Sequence, residues 1–516
     1  MNFRSFFSAV KKFFGRIPRG AVTAIICVIS AAVFMLAAVG TFKKAGSDAY
    51  KNHSSFDSYT KQAMAWRSGE AKLDKNYPHL ELAIVNRDWL AAHDKSDYMA
   101  YRETFGDVGA PIQHVEGSEY YVSFPPVPSV PLYLISFITG SETPDNLLSI
   151  LYVAGALVFA ILIMRRLGYG AIISVLAGFF VGAGSGAYFL SVNKYPGGPW
   201  FAAQTLALLL TMAALYTALS PRKAGLYISF PLLALAVGCR PFQIVYFIYL
   251  AYLAARRHSF RILRTWSYYI APAVIGGTYM WYNYIRFGKL FEFGHNYLPE
   301  FMRDPIGQFS LKFISSNARS FFRIFPSYSD GKLEFSKFGF CFYVANPLFI
   351  FAALCLAAAL SRIFVKRAVL PDRTARQAGK GVISADTDNL IQVFGLAVLC
   401  GIHLLLLLMH KTNGGWQFGM RYTVDIVPAA LVMAAVAMHP FFTGFDADVL
   451  PTIFGAVASS GDGWELQSLS SGTLSRAPSV YYRFYYSIRG AAGLAFTVLF
   501  AFGCWLNITG AYMMLK

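Results

Sequence analysis

Carboxylates, the side chains best able to act as an acid or a base, concentrate in one polar stretch of this chain. Twelve of the 27 Asp and Glu residues lie between positions 43 and 127, directly after the first apolar segment. Asp57 stands in this loop at the start of a predicted short helix, with Tyr59 beside it and Trp66 on its apolar side. A carboxylate held against a membrane surface is partly desolvated and can serve as a general base. The alternative is that Asp57 only caps the helix.

Two further polar clusters in the same loop could bind a metal. His79 lies two residues before Glu81, and Asp107 is followed by His114. Histidine and carboxylate side chains bind divalent ions, so Mg or Mn is a candidate cofactor. The spacing of these residues is not diagnostic of any ligand set, and ordinary loop polarity is the alternative.

Two arginines stand where positive charge could bind an anion. Arg421 follows Gly414, Gly415 and Trp416 at the start of an apolar segment, and a guanidinium there can bind a phosphate while glycines allow close backbone approach. The alternative is an arginine in an interfacial aromatic belt. Arg240 separates two apolar pieces that are each short for a membrane span, and a charge at that depth needs a partner or a polar cavity.

A third polar segment closes another apolar stretch. It contains Tyr282 and Asn283, and it runs on through Glu292 to His295. An aromatic girdle at a membrane interface is the alternative to a binding role for these residues.

The composition places the chain among polytopic membrane proteins. Hydrophobic residues make up 56% of the 516 positions, and the mean hydropathy is +0.46. The net charge of +18 sits mostly between apolar segments, so it indicates membrane orientation and lipid headgroups, not nucleic acid. The six cysteines form no CxxC pair and predict no disulfide framework or metal site. The chain also lacks the P-loop, dinucleotide, HExxH and GxSxG motifs of soluble enzymes.

The predicted fold is an all-α polytopic membrane protein with about 11 transmembrane helices, within a range of 10 to 13. A basic N-terminus without acids predicts a cytoplasmic start, which puts the carboxylate-rich loop on the extracytoplasmic side of the cell membrane. The predicted regions are a basic amphipathic segment (1–20), a first transmembrane helix (21–42), an extracytoplasmic loop with juxtamembrane helices (43–146), a transmembrane bundle (147–285, including a span at 169–190), a second extracytoplasmic loop (286–345), a second bundle (346–438), a segment without a predicted placement (439–488) and a last transmembrane helix (490–511).

Taken in order, these segments resemble the GT-C superfamily of integral-membrane glycosyltransferases, some of them mannosyltransferases, which use polyprenyl-phosphate-linked sugars. The resemblance covers about residues 20–440. The features that carry it are Asp57-Ser58-Tyr59 with Gly69, Phe124-Pro125-Pro126 before a short apolar helix, Arg240-Pro241, Tyr282-Asn283-Tyr284 through Phe287-Gly288 and Phe293-Gly294, and Phe418-Gly419-Met420-Arg421-Tyr422 with Pro428.

The resemblance implies an inverting sugar transfer on the extracytoplasmic side. By that analogy Asp57 is the catalytic base, and Arg421 and then Arg240 bind the donor phosphate. Many relatives carry an acidic pair where this chain has a single Asp57, which leaves metal dependence open. The predicted substrate-binding residues are Tyr59, His79, Glu81, Asp107, Tyr282, Asn283, His295 and Trp416.

Two other functions compete with the enzyme. A transporter or flippase for lipid-linked saccharides should place charges along a path through several helices. In this sequence the polar residues gather at one face, which favours a glycosyltransferase with a glycan, lipid or protein acceptor. An assembly subunit without activity is the third alternative.

Overall fold

The structure is a computed structural model that describes residues 18–93, 97–106, 115–298, 301, 306–369, 380–443 and 479–516. Most of this chain is helical. The described helices and strands, in chain order, are α1 (Arg19–Lys44), α2 (Ser58–Arg67), β1 (Leu82–Asn86), α3 (Arg87–Ala92), α4 (Tyr98–Phe105), β2 (Ser118–Val122), α5 (Ser129–Thr139), α6 (Asp145–Arg166), α7 (Ala171–Gly182), α8 (Ala187–Ser191), α9 (Pro199–Ala218), α10 (Ala224–Val237), α11 (Tyr246–Arg257), α12 (Ile270–Phe287), α13 (Phe313–Phe322), β3 (Ser327–Ser329), β4 (Lys332–Glu334), α14 (Phe342–Ala345), α15 (Leu348–Val369), α16 (Lys380–Met409), α17 (Val427–Thr443) and α18 (Ser479–Leu515).

Seven of the described helices are long and apolar enough to cross a membrane: α1, α6, α9, α15, α16, α17 with the 3-10 turn before it, and α18. Large apolar side chains on them stay exposed, as Leu36 does on α1 at 72%. Such surfaces suit lipid. The prediction of a multi-pass membrane protein is confirmed, and the number of about 11 spans stays a prediction.

The first polar loop folds around a two-stranded antiparallel sheet, which the sequence analysis did not predict. Strand β1 pairs with β2 so that Leu82 faces Val122 and Asn86 faces Ser118. All five residues of β1 are buried, and branched and aromatic side chains such as Ile84 favour the pleated conformation. The predicted short helix near Asp57 is α2.

The predicted short apolar helix after the prolines is also present, as α5. It packs on α2 and leaves an apolar side exposed through Leu134, Phe137 and Ile138. Arg67 of α2 donates to the carbonyl of Ser136 at 2.7 Å and thereby fixes the two helices to each other.

The predicted span at about 169–190 is not one helix, because the chain breaks between α7 and α8. The break falls at Gly182, Gly184 and Gly186, where glycine weakens a helix. It also permits a close crossing with α18. A Cβ placed on Gly503 of α18 would stand 2.5 Å from the carbonyl oxygen of Gly184.

The predicted pair of short helices around Arg240 is present. Helix α10 ends at Val237, a 3-10 turn covers Pro241–Val245, and α11 follows. Two helices that are each too short to cross a membrane therefore meet at Arg240.

The two ends of the helix bundle differ in charge. At the loop end, α1 ends and α6 and α9 begin. The first residues of α6 accept hydrogen bonds there, Asp145 from the backbone N–H of Ser54 at 2.8 Å and Asn146 from the backbone N–H of Gly197 at 2.7 Å. The opposite, basic end carries Arg165, Arg166, Arg222, Lys223, Arg256, Arg257, Arg261 and Arg264.

The segment without a predicted placement is helical at both of its edges. Helix α17 continues to Thr443, and α18 begins at Ser479, well before the predicted start at 490. Residues 444–478 lie outside the described residues.

Candidate active site at the loop end of the bundle

Asp57 precedes α2 but does not cap it, because its side chain makes no capping hydrogen bond. Its Oδ2 atom lies 3.2 Å from Lys61 Nζ one turn later, and the Asp57 side chain is 13% exposed. Lys61 also lies 4.4 Å from the centre of the Tyr77 ring. The capping alternative is therefore wrong, and the carboxylate is oriented by an ion pair.

Phe56 connects Asp57 to the start of α9. Its ring meets Tyr195 at 4.8 Å and Trp200 at 5.0 Å between centroids, both edge to face. The exposed His79 ring lies 6.2 Å away. These contacts pack Phe56, the residue before Asp57, against the first turn of α9.

Trp200 joins a carboxylate to an arginine. Its Nε1 donates to Glu81 Oε2 at 3.3 Å, and its carbonyl accepts from Arg421 Nη1 at 2.6 Å. Glu81 is held in the left-handed region at φ 53°, a conformation that is uncommon for residues with a side chain and concentrates at functional sites. Glu81 also interacts electrostatically with Arg421.

Arg421 is nearly buried, with 4% exposure. Its Nε donates to the carbonyl of Gly414 at 2.9 Å, and no carboxylate of the described residues forms an ion pair with it. Gly414 sits at φ +107°, and a Cβ there would meet Gln417 Oε1 at 2.8 Å and Arg421 Nε at 2.9 Å. The expected close backbone approach thus occurs here, toward the arginine.

Arg240 has the partner that its depth requires. Its Nε and Nη2 both lie 3.0 Å from Oδ2 of Asp425, which is 1% exposed. Gln204 donates to the Arg421 carbonyl at 3.0 Å and to Asp425 Oδ1 at 3.5 Å. The two guanidinium groups also lie against one ring, that of Tyr422, at 4.5 and 4.9 Å from its centre. Arg240, Arg421 and Asp425 together carry a net charge of +1, and Glu81 is a second carboxylate that interacts with Arg421.

Tyr59 and His295 line the same region through Phe124, whose ring lies 6.3 Å from that of Tyr59 and 5.7 Å from that of His295. The Tyr59 hydroxyl is buried and has no hydrogen-bond partner in the described chain. Burial lowers the pKa of His295 to about 4, and the neighbouring His410 and Arg240 act in the same direction. His295 is therefore a neutral imidazole at pH 7.

Three predicted substrate-binding residues have partners within the protein, and their role in binding stays a prediction. The Tyr282 hydroxyl accepts from Gln62 at 2.8 Å and from Trp66 at 3.1 Å. Asn283 accepts from Arg286 at 2.9 Å and donates to a backbone carbonyl. Trp416 packs in the bundle against Phe189 and Phe201.

Only part of the predicted metal site lies among the residues that the structure describes. Asp107 and His114 lie outside the described residues. Among the residues that the structure does describe, no three His, Cys, Asp or Glu side chains are grouped to hold a metal ion. A divalent cation therefore stays a prediction.

Two residues of the site were missed in the sequence. Asp425 lies inside an apolar segment, and the rule that intramembrane carboxylates are costly and functional would have found it. Trp200 gives no comparable signal, because an aromatic residue at a helix start is common at membrane interfaces.

Searches with family models, curated proteins and solved structures give no match to this chain. The class that fold and site define is thus a multi-pass helical membrane protein with a buried cationic unit beside carboxylates at one end of its bundle.

Proposed function

We propose that this protein is an integral-membrane glycosyltransferase of the GT-C type. It transfers a sugar from a polyprenyl-phosphate-linked donor to an extracytoplasmic acceptor by inverting displacement. The proposal includes the GT-C fold with about 11 spans, and it includes an extracytoplasmic position for the loop end. The basic end supports that orientation, because Lys and Arg favour cytoplasmic loops.

The observation that carries the proposal is the nearly buried guanidinium of Arg421, with which no carboxylate of the described residues forms a direct ion pair. A nearly buried guanidinium whose observed acceptors are carbonyls has lost water without gaining a carboxylate. Such a group favours a bound anion, and the charge-assisted hydrogen bonds of arginine suit phosphate oxygens. Arg240 adds a second cation against the same Tyr422 ring, although Asp425 neutralises it.

The reaction assigns one role to each group. Asp57 accepts the proton of the acceptor hydroxyl as the hydroxyl oxygen bonds to the anomeric carbon. The bond from that carbon to the phosphate oxygen breaks, and the electron pair leaves with polyprenyl phosphate. Fixed positive charge at Arg421 stabilises the departing phosphate in a site with little water. Lys61 orients the base through its 3.2 Å contact.

The first prediction concerns Asp57→Asn in the full-length protein, reconstituted in vesicles and supplied with polyprenyl-phosphate sugars. Loss of a general base should lower transfer by roughly 10²- to 10⁴-fold. Asp48→Asn is the matched control, because Asp48 is an exposed carboxylate of the same loop paired with Lys51 at 3.1 Å. A folded Asp57→Asn protein with full transfer would refute the assignment of the base.

A transporter of lipid-linked saccharides is the second candidate, and specific buried groups favour it. His403 of α16 is fully buried, and neither of its ring nitrogens has a hydrogen-bond partner within the described chain. With Asp425 and Gln204 it forms a polar interior between helices, where transporters place their sites. Wild-type vesicles that transfer no sugar from any such donor, yet equilibrate a lipid-linked saccharide between leaflets, would favour this candidate.

A further inference from the structure

A groove opens on the first polar loop outside the site described above. It has a volume of about 230 Å³ and lies between the chain at 72–76 and strand β2. Its lining is polar except for Leu73 and the Tyr120 ring, and the remaining residues are Lys72, Asp74, Lys75, Asn76, Ser118 and Glu119. The Asn76 Oδ1 atom is buried without a hydrogen-bond partner in the described chain, which is a cost that a ligand donor would remove.

Tyr77 connects this groove to Asp57. Its hydroxyl donates to Asp74 of the groove at 2.9 Å, and its ring lies 5.4 Å from Lys75 Nζ and 4.4 Å from Lys61 Nζ. Lys61 in turn holds the Asp57 carboxylate. Burial, Asp74 and the Asp57 charge together raise the pKa of Tyr77 to about 12, so its hydroxyl stays a donor. Tyr77 and Lys61 therefore stand between the groove and the proposed base.

The charges of the groove select the chemistry of its ligand. Two lysines and two carboxylates line it, and Glu119 is held by Lys72 at 3.2 Å. A phosphate would meet Asp74 and Glu119 as repelling charges, and an apolar ligand would bury charges without partners. A hydroxyl both donates and accepts, and it can satisfy ammonium, amide and carboxylate groups together.

The size of the groove limits the ligand further. Its 230 Å³ is below the roughly 300–1,000 Å³ of sites for drug-sized ligands, so it suits one small ring of a longer molecule. The groove has an open side, which leaves room for the rest of a chain to continue.

We propose that this groove is an acceptor subsite that binds one uncharged sugar ring of a longer glycan acceptor, with Tyr77 and Lys61 between that ring and Asp57. The acceptor role rests on the proposed glycosyltransferase activity, whereas the binding of a neutral sugar does not.

Direct binding to the full-length protein in nanodiscs tests the groove without any donor. The probes are the methyl glycosides of glucose, galactose, mannose and N-acetylglucosamine, with glucuronate and inorganic phosphate as charged comparisons, followed by saturation-transfer NMR. The variants are Asn76→Ala, which removes the unpartnered amide, and Lys75→Gln. The control is Asn52→Ala, an exposed asparagine of the same loop whose observed hydrogen bonds use its backbone N–H and carbonyl.

At least one neutral glycoside should bind, and its signal should fall at least fivefold in both groove variants but not in the control. The inference is overturned if no glycoside binds, if the groove variants bind as wild type does, or if glucuronate or phosphate binds in preference to the neutral sugars. Melting curves of the variants check that each one is folded.

The two proposals fail separately. If the groove binds sugars in an Asn76-dependent way but no donor supports transfer, the glycosyltransferase proposal is refuted and the proposal of a sugar-binding groove is supported. If transfer occurs and Asn76→Ala leaves both the acceptor KM and glycoside binding unchanged, the proposal of an acceptor groove is refuted and the glycosyltransferase proposal is supported. A rise in acceptor KM of at least fivefold, with unchanged hydrolysis of the donor by water, supports both.

Discussion

Asp425 is the carboxylate that pairs directly with Arg240, one of the two arginines of the site. It is 1% exposed and bonds Arg240 through two nitrogens at 3.0 Å. Removal of one partner of a buried ion pair leaves the other charge desolvated, which is far more costly than removal of both. Asp425 therefore sets the stability of this region as well as its net charge.

The second prediction is that Asp425→Asn lowers the free energy of unfolding by about 3–5 kcal/mol. The double variant Arg240→Met with Asp425→Leu should recover most of that loss, because no unpaired charge remains. Asp388→Asn is the control, since it breaks a more exposed pair in which Arg256 lies 3.1 Å away. Thermal melting in nanodiscs measures all three. An Asp425→Asn protein as stable as the control would contradict the buried pair.

The third prediction concerns His295 and pH. Its pKa is about 4 in the folded protein and about 6.5 in an unfolded chain, so the unfolded state binds more protons between these values. Stability contributed by the neutral form is present above about pH 6.5 and is lost as the pH falls toward 4.

Melting temperatures between pH 7 and 4.5 check this dependence. Wild type should lose stability as the pH falls, and His295→Gln should lose less. The exposed His79→Gln serves as the control variant. Equal slopes for wild type and His295→Gln would show that His295 does not cause the pH dependence. The next variants to test would then be substitutions of His410, whose pKa is also lowered by burial, and of Glu292.

At the scale of elements, the crossing of α18 over the break between α7 and α8 depends on glycine. The Gly184 carbonyl approaches Gly503 so closely that a methyl group cannot fit without movement of backbone. Gly493 lies on the same helix, and a Cβ there would meet nothing within 4 Å.

The fourth prediction follows from this difference. Gly503→Ala should destabilise the protein by about 1–3 kcal/mol through overpacking. Gly493→Ala should be neutral or stabilising by up to about 1 kcal/mol, because alanine favours helix. Melting in nanodiscs compares the two variants. The predicted contact is refuted if Gly503→Ala is the more stable of the pair.

The sequence predicts elements well where one local rule decides them. Prolines before an apolar run predict α5, and the spacing of Ala63, Trp66 and Gly69 predicts α2. Prediction from the sequence fails where contacts between distant segments determine the local structure. Strand β1 needs β2, about thirty residues later, and the break after Gly182 reflects a crossing with Gly503 more than three hundred residues away. The position of Trp200 between Glu81 and Arg421 likewise depends on three segments meeting.

On the scale of the whole molecule, charge separates the two ends of the bundle. The loop end carries the carboxylate-rich first polar loop, and the opposite end carries a cluster of arginines such as Arg222 and Arg261. The proposed orientation puts the first outside the cell and the second inside.

The fifth prediction tests that orientation with single introduced cysteines. Lys75→Cys at the loop end should react with a membrane-impermeant maleimide in intact cells. Arg261→Cys should react only after permeabilisation. The native cysteines of the described chain are buried or half-buried, which keeps the background low. Labelling of Arg261→Cys, and not Lys75→Cys, in intact cells would invert the proposed topology.

In the proposed glycosyl transfer, the fixed charge at Arg421 would have a consequence for turnover. A polyprenyl-phosphate sugar is a diester with one negative charge, whereas the leaving monoester carries about −1.5 to −2 at pH 7. An arginine stays protonated at any physiological pH, so the site cannot weaken its binding of the phosphate by releasing a proton. The spent lipid carrier would thus be retained more tightly than the fresh one, and its departure would set the pace of the cycle.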